Sequence, residues 1–197
     1  MPDPRPQVAL TDPTALRAYA HPLRLALVGL LRREGPLTAT RAARALGDNV
    51  PNCSFHLRQL AKYGLVERVA GADARERPWQ ATALATQWEH HADDPAMQAA
   101  VDHLDAVIAK RYYERAMRWL ARRAEEPAEW RRNTGPGDAL LFLTAEELAE
   151  LLRRQEELVA EFRPRQVEES LRPPGARAVS IAQYVTLYHP DEAADRP

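Results

Sequence analysis

Along the first third of this 197-residue chain, apolar positions recur at the three-and-four spacing of helices. Thr11 or Asp12 can cap a helix that begins at Pro13 and turns Leu16 and Tyr19 inward. The pattern pauses at Ala20-His21-Pro22. A second helix then carries Leu23, Leu27, Leu30 and Leu31 as its buried stripe and stops at Gly35-Pro36. Leu37-Thr38 reads as a short extended link. Thr40 to Leu46 forms a small helix with Ala42, Ala43 and Leu46 inward, closed by Gly47. Residues 1–11, rich in proline, read as a flexible leader.

The most informative stretch is Asn49 to Val66, NVPNCSFHLRQLAKYGLV. Asn49 caps a helix in which Cys53, Leu57 and Leu60 recur at i, i+4 and i+7 and share a face. The opposite face shows Asn52, Ser54, Phe55, Arg58, Gln59 and Lys62, and Gly64 ends the helix. A buried stripe backed by amides, a hydroxyl and cations is what a helix in the DNA major groove requires. The periodicity alone fits an ordinary surface helix equally well. The flanks shift the balance, because two helices joined by the turn Gly47–Asn49 match the helix-turn-helix pattern.

Leu65 to Val69 is β-prone, Gly71 to Arg77 is a polar turn, and Trp79 to Thr82 returns as a second strand. That hairpin is a wing, and Arg75 and Arg77 suit backbone phosphates or the minor groove. Further on, Ala96 to about Ala124 reads as a long helix with Met97, Val101, Leu104, Ile108 and Tyr112 in one stripe. Ala139 to Leu143 reads as a short strand. Thr144-Ala145-Glu146-Glu147 is a capping box opening a helix with Leu148, Leu151, Leu152, Leu158, Val159 and Phe162 inward. Ala178 to Tyr188 is β-rich, and residues 191–197 are a tail.

Ala20-His21-Pro22-Leu23-Arg24, the helix end Leu46-Gly47, the run Ser54-Phe55-His56-Leu57-Arg58-Gln59-Leu60, and Gly64-Leu65-Val66 together resemble the ArsR-type winged-helix repressors. The likeness covers about Ala15 to Thr82, well under half of the chain. It implies a homodimeric bacterial transcription factor whose recognition helix is Asn49–Tyr63. Ser54, Phe55, Arg58 and Gln59 would face DNA, with Cys53, Leu57 and Leu60 in the core. Phe55 departs from the family pattern, which places a polar or basic residue there; a thymine methyl group is one contact it could make.

Charge separates the chain into two parts. Thr14 to Thr82 holds 11 Lys/Arg against 5 Asp/Glu, whereas Ala83 to Pro197 holds 15 against 21. The basic part is the one suited to a polyanion. One cysteine excludes an intrachain disulfide and a cysteine-pair metal sensor of the family's thiolate type. His90, His91, Asp93, Asp94, Asp102 and His103 could ligate a metal, yet they lack the Asp-x-His and His-x-x-Glu pairs of the family's other sensors. No metal site and no cofactor are assigned. Neither a phosphate loop nor a nucleophile–base motif is present, so no enzyme is predicted. No apolar run is long enough for a bilayer and the start is no signal peptide, which predicts a cytoplasmic protein without a membrane role.

The second half is rich in aromatic residues. They serve first as core and dimer interface. Trp88, Tyr112, Trp119, Trp130 and Phe142 are also candidates to line an apolar pocket for a small organic effector. The expected fold is mainly α, with a winged helix-turn-helix over 12–83 and a helical, α+β lobe over 84–190 for dimerisation and ligand binding. The expected partners are double-stranded DNA and a second copy of the chain, as a repressor on a pseudo-palindromic operator. Two alternatives stand beside it: a winged-helix protein-interaction module without specific DNA binding, and a metal-responsive repressor.

Overall fold

In the computed structural model, which describes residues 7–69 and 77–189, side-chain caps start each of the first four helices. The Asp12 carboxylate accepts from the N–H groups of Thr14 and Ala15 (3.2 and 3.1 Å) and opens α1, Pro13–Tyr19. His21 Nδ1 accepts from the Leu23 N–H (3.2 Å) at the head of α2, Pro22–Glu34. Thr38 caps α3, Ala39–Leu46, and Asn49 caps α4, Val50–Lys62. Each cap satisfies an N–H that a helical first turn leaves without a partner. Gly47 (φ 67°) and Gly64 (φ 68°) take the left-handed backbone that lets the chain leave α3 and α4 abruptly.

The chain divides into two units. One runs through Arg111 and includes Arg163–Arg172; the other comprises Tyr112–Phe162 and the residues from Pro173 onward. In the first unit α2, α3 and α4 surround a core in which Leu16, Leu27, Leu31, Leu57, Leu60 and Leu65 are fully buried. Each such side chain contributes about 1.5–3 kcal/mol of transfer free energy. Ala100, Val101 and Leu104 of α5, Pro95–Arg122, close the same core. A hairpin follows α4. Its β2, Val66–Arg68, runs antiparallel to β3, Trp79–Ala81, with Val66 opposite Ala81 and Arg68 opposite Trp79. Leu37 bridges Trp79 through two backbone hydrogen bonds (2.9 and 2.8 Å) and fastens the hairpin to the helices.

One correction concerns the leader. Val8–Ala9 form β1, parallel to β4, Thr86–Gln87, and Leu10 is 3% exposed within the core. The Leu10 N–H donates to the Gln87 carbonyl (2.9 Å). Burial of Leu10 and the backbone hydrogen bonds to β4 together offset the cost of ordering this segment.

The second unit holds the end of α5, a short α6 (Ala128–Arg131) and α7 (Ala145–Ala160). Thr144 and Glu147 form the expected capping box at 3.2 and 2.8 Å. The strands expected over Ala139–Leu143 and Ala178–Tyr188 do not form, and neither segment joins a sheet. A strand needs a neighbour to take its alternate N–H and C=O groups, and β-prone composition cannot supply one. Leu158, Val159 and Phe162, expected inward, are exposed, whereas Leu148, Leu151 and Leu152 are half-buried. Among the described residues every buried side chain lies between Leu10 and Leu104. The fold is mainly helical, a winged helix-turn-helix followed by a helical C-terminal part.

Candidate nucleic-acid interface

An advance of 100° per residue divides α4 into two faces. Cys53, His56, Leu57 and Leu60 are buried. Phe55, Arg58 and Lys62 are exposed, and Asn52, Ser54 and Gln59 are half-buried. Among the described residues no hydrogen bond or ion pair occupies the side chains of Arg58, Gln59 or Lys62. Phe55 is 47% exposed and meets the His56 ring edge-on at 5.2 Å, so it is not part of the core. Cys53 is fully buried, and burial pushes its thiol pKa up, the mark of a structural cysteine.

Asn52 has a second task that the sequence reading missed. Its Nδ2 donates to both carboxylate oxygens of Asp48 (3.1 Å each), and its N–H donates to Asn49 Oδ1 (2.8 Å). The Asn52 amide first, and then the Asn49 N–H that donates to Asp48 Oδ1 (2.7 Å), hold the Asp48 carboxyl below its usual pKa. The turn entering α4 is thereby fixed, and Asn52 is partly occupied by it. The Asp48-Asn49 pair ahead of the helix carried that signal.

Behind α4, the Arg24 Nε–H donates to His56 Nδ1 (3.1 Å), and the rings of His21 and His56 lie 4.4 Å apart. The imidazole pKa of His56 is lowered first by burial, then by His21 and Arg24; that of His21 is lowered by burial and then Arg24. Both rings are favoured neutral. His21 thus organises the start of α2, and His56 packs behind the outward-facing helix.

The hairpin adds positive charge. The Arg68 guanidinium lies 4.0 Å over the Trp79 ring and donates to the Arg77 carbonyl. Its pKa is lowered by burial and then by the cations Arg77 and Arg58. Arg58, Arg68 and Arg77 therefore raise one positive potential where α4 meets the hairpin. Arg68 was absent from the sequence-derived set, although its alternating position in a short strand marks it as outward-facing. Arg77 is exposed; Arg75 lies outside the described residues.

The aromatic candidates for an effector pocket have separate neighbours. Trp88 belongs to the first unit, where its Nε1–H donates to Asp105 Oδ1 (2.8 Å). In the second unit Tyr112 meets Tyr184 edge-on at 6.4 Å, Trp119 lies beneath Arg123, and Trp130 beneath Arg177. Phe142 is 96% exposed. It lines an open apolar concavity with Leu140, Leu141, Leu143 and Tyr188, a set that includes none of the other candidates. His90 Nδ1 sits 2.9 Å from Asp105 Oδ2, and among the described residues no three His, Cys, Asp or Glu side chains converge as metal ligands do.

No helix of the described residues is long and apolar enough to cross a membrane. No curated protein matches the chain. A family model described as a helix-turn-helix domain matches residues 19–69, the stretch from Tyr19 through α2, α3 and α4 to the end of the first hairpin strand. The chain thus carries a helix-turn-helix domain, the module of DNA-binding regulators, with α3 and α4 as its two helices.

Proposed function

We propose that this protein is a sequence-specific transcriptional regulator of the ArsR type, a homodimer that represses by covering a pseudo-palindromic operator. The observation that carries the reading is the uncommitted outer face of α4, with Arg58, Gln59 and Lys62 beside the cationic pair Arg68 and Arg77. In this reading α4 enters the major groove. Arg58 presents two N–H donors to guanine O6 and N7, Gln59 reads adenine, and Phe55 packs on a thymine methyl group. Ser54, Lys62, Arg68, Arg75 and Arg77 contact phosphates, which fix the register without reading sequence. Asn52, tied to Asp48, offers its amide oxygen and serves chiefly to hold the helix start.

A dimer places two copies of α4 in successive major grooves roughly 34 Å apart, which demands an operator with matching symmetry. Footprinting on the DNA upstream of its own coding region tests this. The reading requires two protected half-sites about 10 base pairs apart, centre to centre. Uniform weak protection, or none, would refute it.

A further inference from the structure

Not one described residue of the second unit is buried, although the unit is rich in aliphatic and aromatic side chains. Folding must offset roughly 1–2 kcal/mol of backbone entropy per ordered residue, and a unit without a core has little to offset it. Much of the exposed apolar surface lies in three runs, residues 140–143, 158–162 and 178–188, of which the last is the longest. Val179, Ile181, Val185 and Leu187 are 60, 79, 48 and 79% exposed. With Leu158, Phe162 and the 140–143 segment, the unit exposes on the order of 1,000 Å² of apolar side chain in all. A stable interface needs roughly 800 Å² per partner.

We propose that residues 178–188 pair antiparallel with the same residues of a second copy of this chain, about a twofold axis at Gln183. The sequence AVSIAQYVTLY alternates with the period of a strand, so positions 179, 181, 183, 185 and 187 share one face. Centring the axis on Gln183 sets Ile181 opposite Val185 and Val179 opposite Leu187 of the other copy. Every aliphatic side chain of that face then meets another, and the two Gln183 amides face each other. The arrangement is isologous, as a closed dimer requires. The face has a floor within its own chain, because Gln183 Nε2 donates to Gln155 Oε1 of α7 (3.0 Å). Gln155 interrupts the apolar stripe Leu148, Leu151, Leu152 and Leu158. The other side of α7 is charged and self-paired, Arg153 bridging Glu150 and Glu157. The chain's own β-prone segment 139–143 forms no ladder with 178–188, and Tyr188 lines a shared concavity with it. Pairing with a second copy supplies the inter-strand ladder that a strand requires.

The proposal deepens the dimer reading above and rests on it. The test joins light scattering with cysteine cross-linking of the full chain. Gln183→Cys places two thiols opposite each other and should give a covalent dimer on mild oxidation. Leu187→Cys, facing position 179, should not, and wild type should not because Cys53 is buried. Ile181→Asp should convert the dimer to a monomer while the far-UV helical signal of the first unit remains. A monomeric wild type, a dimer that Gln183→Cys leaves uncross-linked, or one that survives Ile181→Asp would overturn the proposal. DNA binding is read separately. A cross-linked dimer that ignores DNA contradicts only the regulator reading, a dimer that binds the operator and survives Ile181→Asp contradicts only this one, and a monomeric wild type contradicts both.

Discussion

Arg24 holds the back of α4 through His56: its Nε–H donates to the imidazole Nδ1 over 3.1 Å, joining the first turn of α2 to the middle of the helix that faces outward. The bond needs a lone pair on Nδ1, hence a neutral ring with its proton on Nε2. Protonation would aim a second N–H at a guanidinium.

A pH dependence follows. Burial first, then neighbouring charge, lowers the folded-state pKa of His56 and of His21 below 6.5. The unfolded chain then binds more protons near that value, so stability rises with pH there. The contribution is complete above about pH 6.5 and is lost as pH falls through the lowered folded values. Thermal melting should be flat from about pH 8 to 7 and decline towards pH 5.5. His56→Gln, which keeps an acceptor for Arg24 but does not titrate, should remove part of that decline. An unchanged slope would refute the role.

The Asn49 cap offers a cleaner test of local structure. Asn49→Ala should lower stability by about 0.5–2 kcal/mol, and Asn49→Gly by only a few tenths, as caps do. Equal losses in denaturant titrations of the two variants would show that Asn49 acts by other means.

Leu57 is fully buried at the centre of the apolar face of α4. Leu57→Ala should cost about 2–5 kcal/mol through lost transfer energy and a cavity. DNA affinity should fall only as far as the folded fraction falls, measurable by following binding and melting on one sample.

The two kinds of DNA contact should separate by mutation. Arg58→Ala should cost about 1–3 kcal/mol on the operator and relax base choice at one position in each half-site. Arg77→Ala should weaken specific and random DNA alike and reduce the salt dependence. Equal losses on both DNAs for both variants would contradict the assignment.

Legibility of this chain followed how local each determinant was. Cys53, Leu57 and Leu60, the cap at Asn49, and the glycines at 47 and 64 act within one helical turn, and the sequence displayed them all, whereas Thr38, read as part of an extended link, caps α3. The Arg24–His56 bond spans elements, so spacing could not reveal it. Three prolines near the start hid the strand at Val8–Ala9, although the apolar triplet Val8-Ala9-Leu10 carried a hint. In the second unit β-propensity pointed to strands that a single chain does not complete, because propensity states what a segment can pair as, not what it pairs with. Phe142 and its fellow aromatics suggested a pocket by composition, whereas their contacts run to different neighbours.

The most direct measurement is binding of the purified protein to its own upstream DNA and to a scrambled sequence, at about 50 and about 200 mM salt. Specific DNA binding through α4 and the hairpin predicts tight, selective binding that weakens on the order of a thousandfold or more across that range. Weak binding, equal for both sequences and indifferent to Arg58→Ala, would contradict it and leave the winged helix as a protein-docking module.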